Sequence, residues 1–189
     1  MRRAAVCDRW RVLIVMAGLP GAGKSAVAED LGRALRCAVL SVDPIEAAMW
    51  RAGVARDQPT GLAAYVVAEA LAAEQLALGL DVIVDAVNDV EAARGQWRSL
   101  AARVGVPLRF IEVRCSEVAE HRRRLASRVR LIEGFSEPTW ESVQERRAAF
   151  DAWTEDRLVL DAMAPHEANV DLARDYLYGG APSWTPPVR

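Results

Sequence analysis

Eight consecutive residues carry the most specific chemistry in the chain: Gly18-Leu19-Pro20-Gly21-Ala22-Gly23-Lys24-Ser25. Their spacing matches a phosphate loop, G-x-x-x-x-G-K-[ST], at every fixed position. Glycines let the backbone turn tightly and bring its N–H groups onto phosphate oxygens. A helix starting at the end of the loop adds the positive end of its dipole to the same anion. Lys24 can then reach the β- and γ-phosphates of a nucleotide, and the Ser25 hydroxyl can ligate Mg²⁺. Average residue frequencies give such a match by chance in about one per cent of chains this long. The context argues further against chance, because an apolar run precedes the motif and an amphipathic segment follows it. The residues expected around the nucleotide are Gly18, Pro20, Gly21, Ala22, Gly23, Lys24, Ser25 and Ala26.

Two acids follow short apolar runs, and open parallel sheets bind their ligands beyond the carboxyl ends of the strands. Asp85 closes Val82-Ile83-Val84-Asp85, the pattern of a carboxylate that helps hold Mg²⁺, against the plainer reading of a solvated strand end. Asp43 follows the run at 38–42. There it can accept a proton from an attacking hydroxyl. Asp43-Pro44-Ile45-Glu46 also reads as a helix start, with Asp as cap, Pro at the first position and Glu three residues on. Asn88-Asp89-Val90-Glu91 poses the same choice between capping box and substrate contact.

A third candidate is the basic stretch from His121 to Arg130, with five arginines in the nine residues after His121. It can be a nucleic-acid patch, a solvated helix face paired with Glu117, Glu120 and Glu133, or a lid whose arginines neutralise a transferring phosphoryl group. Arg124 and Arg128 are four apart and share a helical face, which favours the lid, about 122–137, with Gly134 as its hinge. His121 and His166 are expected at the surface.

These residues need a scaffold, and the periodicity predicts one. Buried strands are expected at 12–17, 38–42, 81–85, 108–113 and 158–160, and helices at 24–36, 44–52, 60–78, 117–130, 139–150 and 166–178. Val90, Ala93, Trp97, Leu100, Ala101 and Val104 mark one more helical stripe, ending at Gly105. Thr60 is the expected cap of the long third helix and Gly79 its terminator. That helix is apolar nearly all round, so it is expected to be well buried. Strands alternating with helices predict an α/β fold with a parallel sheet and right-handed crossovers.

With 189 residues, one domain over 1–178 with a tail at 179–189 is expected. The formal net charge of −2 sets up no field for nucleic acid or anionic membrane. The first apolar run is too short to span a bilayer. Three cysteines, none in C-x-x-C spacing, suit a reducing cytoplasm better than a disulfide framework or a zinc site.

The chain resembles the small-kinase branch of P-loop NTPases, whose relatives are zeta-toxin-like, polynucleotide-kinase-like and adenylylsulfate-kinase-like. The resemblance runs over about 12–153. It is carried by the phosphate loop, Ser41-Val42-Asp43, Val82-Ile83-Val84-Asp85-Ala86-Val87-Asn88, and Arg124-Leu125-Ala126-Ser127-Arg128. It implies a three-layer fold with a five-stranded parallel sheet flanked by helices and an arginine-rich lid. It implies ATP and Mg²⁺ as cofactors, Ser25 and Asp85 on the metal, and catalytic roles for Lys24, Asp43, Arg124 and Arg128. Adenine would rest near 162–165. Relatives that phosphorylate polynucleotide ends carry an arginine three residues after the strand-two Asp, where this chain has Glu46. The implied activity is therefore transfer of the γ-phosphate to a hydroxyl of a small molecule, with nucleic acid not expected as a partner. Trp50, Arg51, Arg56, Asp57 and Gln58 are available to line the acceptor site, and a monomer or homodimer is expected. Alternatives are a nucleotide-dependent switch or ATPase acting on a protein partner, and a nucleic-acid 5′-end kinase.

Overall fold

The computed structural model describes residues 11–128 and 137–178. Five strands form one parallel sheet: β1 (Leu13–Ala17), β2 (Ala38–Ser41), β3 (Val82–Asp85), β4 (Leu108–Arg114) and β5 (Leu158–Asp161). Their order across the sheet is β2-β3-β1-β4-β5, so the strand bearing the phosphate loop lies at the centre. Among the described residues seven helices are interleaved with them: α1 (Lys24–Leu35), α2 (Val42–Arg51), α3 (Thr60–Ala77), α4 (Glu91–Val104), α5 (Val118–Ala126), α6 (Trp140–Asp151) and α7 (His166–Tyr178).

The continuous apolar run of β1 reflects burial on both faces. Leu13, Val15 and Ala17 point into one cluster with Val82, Val84, Trp97, Leu100 and the buried stripe Ala64, Ala68, Ala72 and Leu76 of α3. Ile14 and Met16 point the other way, into Val27, Leu31, Ile83, Ile111, Leu160 and Ala173 beneath α1 and α7. Alternate residues of a strand face opposite sides, so one apolar sequence supplies two cores. The result is the expected α/β sandwich of helix, sheet and helix.

Parallel pairing also brings the strand ends level. Met16 of β1 and Ser41 of β2 both pair with Asp85 of β3. The carboxyl ends of the three strands nearest the loop therefore open onto one crevice.

Several local expectations are corrected. The second helix begins at Val42, not at Pro44, with Ser41 at its N-cap. Asp43 is thus inside the first turn and is not the cap. Pro44 is tolerated there because the first N–H groups of a helix lack intrahelical partners. Glu46 closes no capping box; its Oε1 accepts the Thr60 hydroxyl at 2.7 Å. Thr60 in turn is not a cap, since Pro59 holds that position. The expected terminator of α3 is found, with Gly79 at φ +84°. Asn88 does not cap α4, whose N-cap is Val90.

The burial expected of α3 fails on one side. Ala64, Ala68, Ala72 and Leu76 are fully buried, yet Leu62 is 67% and Val66 54% exposed, with Val67 and Leu71 beside them. An all-apolar helix can be covered all round or on one face only, and composition does not distinguish the two.

The basic helix ends at Ala126. Gly134 and half of the stretch expected as a lid, 129–136, fall outside the described residues, as does the tail at 179–189.

Candidate functional site

β1 ends at Ala17, and the chain turns at once into the phosphate loop. Gly18 sits at φ +147°, where a Cβ would lie 2.4 Å from the Val113 carbonyl oxygen. Only glycine lets the loop leave the sheet so close to β4. Gly18 N–H donates to the Val87 carbonyl at 3.1 Å, tying the root of the loop to the segment after β3. Gly21 and Gly23 also have positive φ, at +83° and +98°. α1 starts at Lys24, so its N-terminal N–H groups open toward the loop.

The Lys24 side chain is only 6% exposed, and its Nζ lies 3.2 Å from Asp85 Oδ1. Ser41 Oγ donates to the other carboxylate oxygen at 3.4 Å. Three residues that the sequence placed at the loop and at two strand ends thus meet at one point. Ser41 was legible only as part of a motif; its contact with Asp85 follows from the β2–β3 register.

The loop faces a cleft of about 210 Å³ lined by Leu19, Gly21, Gly23, Lys24, Ser25, Ala26, Arg124 and Arg128. Both arginines singled out from the basic stretch therefore border the phosphate loop. Arg124 is held by Glu120, at 2.7 Å from Nε, and by the Ala162 carbonyl, at 3.2 Å. Arg128 pairs with Glu137 at 3.6 Å. Hydrogen bonds from Arg123 and Arg124 pull the Glu120 carboxyl down to about 2, so it stays an anion and anchors Arg124 at any physiological pH. Ala162, in the segment expected beside adenine, also approaches Gly23, whose Cβ would meet the Ala162 methyl at 3.5 Å.

Asp43 is half-buried in the first turn of α2. Its neighbourhood contains a residue that sequence reasoning missed, Tyr65 of α3. Burial pushes the Tyr65 phenol up to about 12. The charges of Asp89 and Asp43 push the same way, against a hydrogen bond from Asn88 N–H and the charge of Arg146. Asp89 and Arg146 form an ion pair at 3.7 Å. Nothing in the apolar pattern of α3 marked Tyr65 as more than core.

Asn88 is placed by the structure as a strut. It is fully buried at φ +54°. Its Nδ2 donates to the Met16 carbonyl at 2.7 Å, and its Oδ1 accepts from Trp97 Nε1 at 2.9 Å. Arg94 donates to the carbonyls of Asn88 and Asp89, so the loop after Asp85 is fixed from both sides. The acceptor-side candidates divide. Trp50 donates to Thr60 at 3.0 Å and lies under Arg56, whereas Arg51, Arg56, Asp57 and Gln58 are exposed.

His121 is the clearest departure from expectation. Read as a surface residue, it is 1% exposed, and its Nε2 lies 2.8 Å from the Pro20 carbonyl in the phosphate loop. His166 fits its surface reading better: it is half-buried and contacts Asp30 at 2.5 Å.

A nucleotide with Mg²⁺ fits these residues. Gly21 and Gly23 give the cleft a floor free of side chains, and Asp85 Oδ1 is buried with no hydrogen bond beyond its ion pair with Lys24. Among the described residues no three His, Cys, Asp or Glu side chains cluster to form a metal cage.

Comparison with known proteins agrees with this geometry. The profile of the AAA domain family matches residues 13–153. No curated protein matches in sequence. A Chloroflexus aurantiacus protein provisionally designated a kinase superposes with a TM-score of 0.72 at 19% identity, over 90% of this chain and 100% of that one. The Mycobacterium tuberculosis APS kinase in complex with AMPPNP and APS gives 0.65 at 16% identity, over 89% and 98%. Chaetomium thermophilum Kti12 in complex with ADP-AlF3 gives 0.63 at 22% identity, over 88% and 100%. At these identities the three structures establish the shared fold.

Proposed function

The chain belongs to the AAA domain family, and from that premise we propose that it is an ATP-dependent phosphotransferase acting on a hydroxyl of a small molecule. The observation that carries the proposal is the cleft in which Lys24, Ser25, Arg124 and Arg128 converge on the phosphate loop. Backbone N–H groups of the loop and the start of α1 hold the phosphates, and Lys24 leaves Asp85 to meet the β- and γ-oxygens. Ser25 and Asp85 would hold Mg²⁺, which supplies charge neutralisation on the phosphates. Arg124, braced by Glu120, and Arg128 offset the charge on the transferring group. Asp43 accepts the proton of the acceptor hydroxyl. The acceptor oxygen bonds to the γ-phosphorus while the bond to the β–γ bridging oxygen breaks, and ADP leaves. The acceptor approaches from the side of Asp43 and Tyr65.

Neutral or cationic acceptors suit this side better than anionic ones, because Asp43, Glu46 and Asp89 all lie on it and Arg146 is paired with Asp89. The test is ADP release with ATP and Mg²⁺ over a panel of sugars, nucleosides, aminoglycosides and polyols. Asp43→Asn is expected to bind nucleotide as the native protein does and to lose transfer by about 10²–10⁴-fold. Lys24→Ala is expected to lose both. Full transfer by Asp43→Asn removes Asp43 from the base role. Hydrolysis that no acceptor accelerates, yet that Lys24→Ala abolishes, replaces the kinase reading with that of an ATPase acting on a partner.

A further inference from the structure

α5 rests on the phosphate loop through two residues one helical turn apart. The His121 ring lies against Pro20, and Leu125 lies against Gly21, where a Cβ would come within 3.3 Å of Leu125. The adjoining face of the same helix carries Arg124 to the cleft, with Arg128 just beyond its end. The loop and the arginines thus share one contact, and among the described residues its polar centre is the hydrogen bond between His121 and Pro20.

Three features define the imidazole. Nε2 can only donate to a carbonyl, so it carries the proton, and Nδ1 is the bare nitrogen of the neutral ring. Nδ1 is buried with no hydrogen-bond partner. The ring stands edge-on to Trp140 of α6, at 5.3 Å and 86°, which fixes its plane. The charged groups acting on it are Arg124 from its own helix and Arg147 from α6.

We propose that neutral His121 is a positioning residue. Its Nε2–H to the Pro20 carbonyl sets the phosphate loop and brings Arg124 and Arg128 to the nucleotide, and protonation at Nδ1 undoes that setting. The added N–H⁺ would be buried without an acceptor and against the charges of Arg147 and Arg124, so the charged ring must leave its seat. Burial, reinforced by Arg147 and Arg124, holds the His121 pKa below its ordinary value, against the bond to Pro20. A lowered pKa in the seated state means that seating is complete above the ordinary histidine range and is lost as the pH falls below it.

This inference rests on the nucleotide-binding reading of the cleft, and its test separates the two. Affinity for a fluorescent ADP would be measured from pH 8 to 5.5. The native protein is expected to weaken by about tenfold toward the acid end, the worth of one well-placed hydrogen bond with its setting. His121→Gln keeps a neutral donor near Nε2; it should match the native affinity at pH 8 and weaken in acid less than the native protein, only as far as the titration of the ADP phosphate itself dictates. His121→Phe keeps the ring edge on Trp140 without a donor; it should bind about tenfold more weakly at every pH with an unchanged circular dichroism spectrum. A His121→Gln profile that follows the native one, or native binding by His121→Phe, overturns the proposal. Imidazole ¹⁵N shifts of the nucleotide-free protein give a readout that needs no ligand. An Nε2–H tautomer titrating below the usual histidine value is expected, and an Nδ1–H tautomer or an ordinary titration overturns the strut even if the chain binds no nucleotide.

Discussion

Gly18 shows how little latitude one residue can have. A methyl group there meets the Val113 carbonyl oxygen at 2.4 Å, on a backbone angle that L side chains avoid. Gly18→Ala is therefore expected to cost about 2–4 kcal/mol, read as a lower midpoint in urea unfolding. Tyr65 gives a second prediction at this scale. Its phenol is raised to about 12 against an unfolded value of 10.0. The folded state then holds the proton more tightly than the unfolded state does. This contribution to stability is complete below pH 10 and drains away as the pH rises toward 12. Absorbance at 295 nm should show a phenol that ionises near pH 12 in the folded protein, absent from Tyr65→Phe. A Tyr65→Phe titration identical to the native one would refute the assignment.

At the scale of elements, what was legible depended on where the partner lies. The phosphate loop announced itself because its chemistry is local, and β1 and β3 did so because strands buried on both faces read as unbroken apolar runs. Residues whose partners are distant did not. His121 meets a carbonyl 101 positions earlier in the chain, and Asn88 meets one 72 positions earlier. Asp43-Pro44 looked like a cap because that pairing commonly opens helices; the early end of β2 at Ser41 moved the start two residues upstream. α3 was misjudged because an apolar composition does not say how many faces are covered. Its two faces contrast sharply in burial. Leu76, fully buried, should cost about 2–5 kcal/mol as Leu76→Ala, while Leu71→Lys, at a site 40% exposed, should stay within about 0.5 kcal/mol. Thermal melts of the two variants check this, and comparable losses would place the outer face of α3 under cover.

For the molecule as a whole, the fold was readable and the chemistry of the acceptor was not. The phosphate loop names what it holds through backbone geometry, which sequence encodes directly. The acceptor side proposed above would be assembled from α2, α3 and the loop after β3, so its shape would exist only once those elements are packed. Parallel strands have a further consequence. Every loop described around the cleft leaves the carboxyl end of a strand, while the turns entering β3 and β4 lie at the opposite end. Those two turns pass through Gly79 and Gly105, and a Cβ added at either would meet nothing within 4 Å. Among the described residues, the cleft and these turns therefore lie at opposite ends of the sheet. A reporter peptide spliced in at Gly79 or Gly105 would ride on the end away from the cleft, making the protein a chassis for a sensor whose readout is kept apart from the site it reports on.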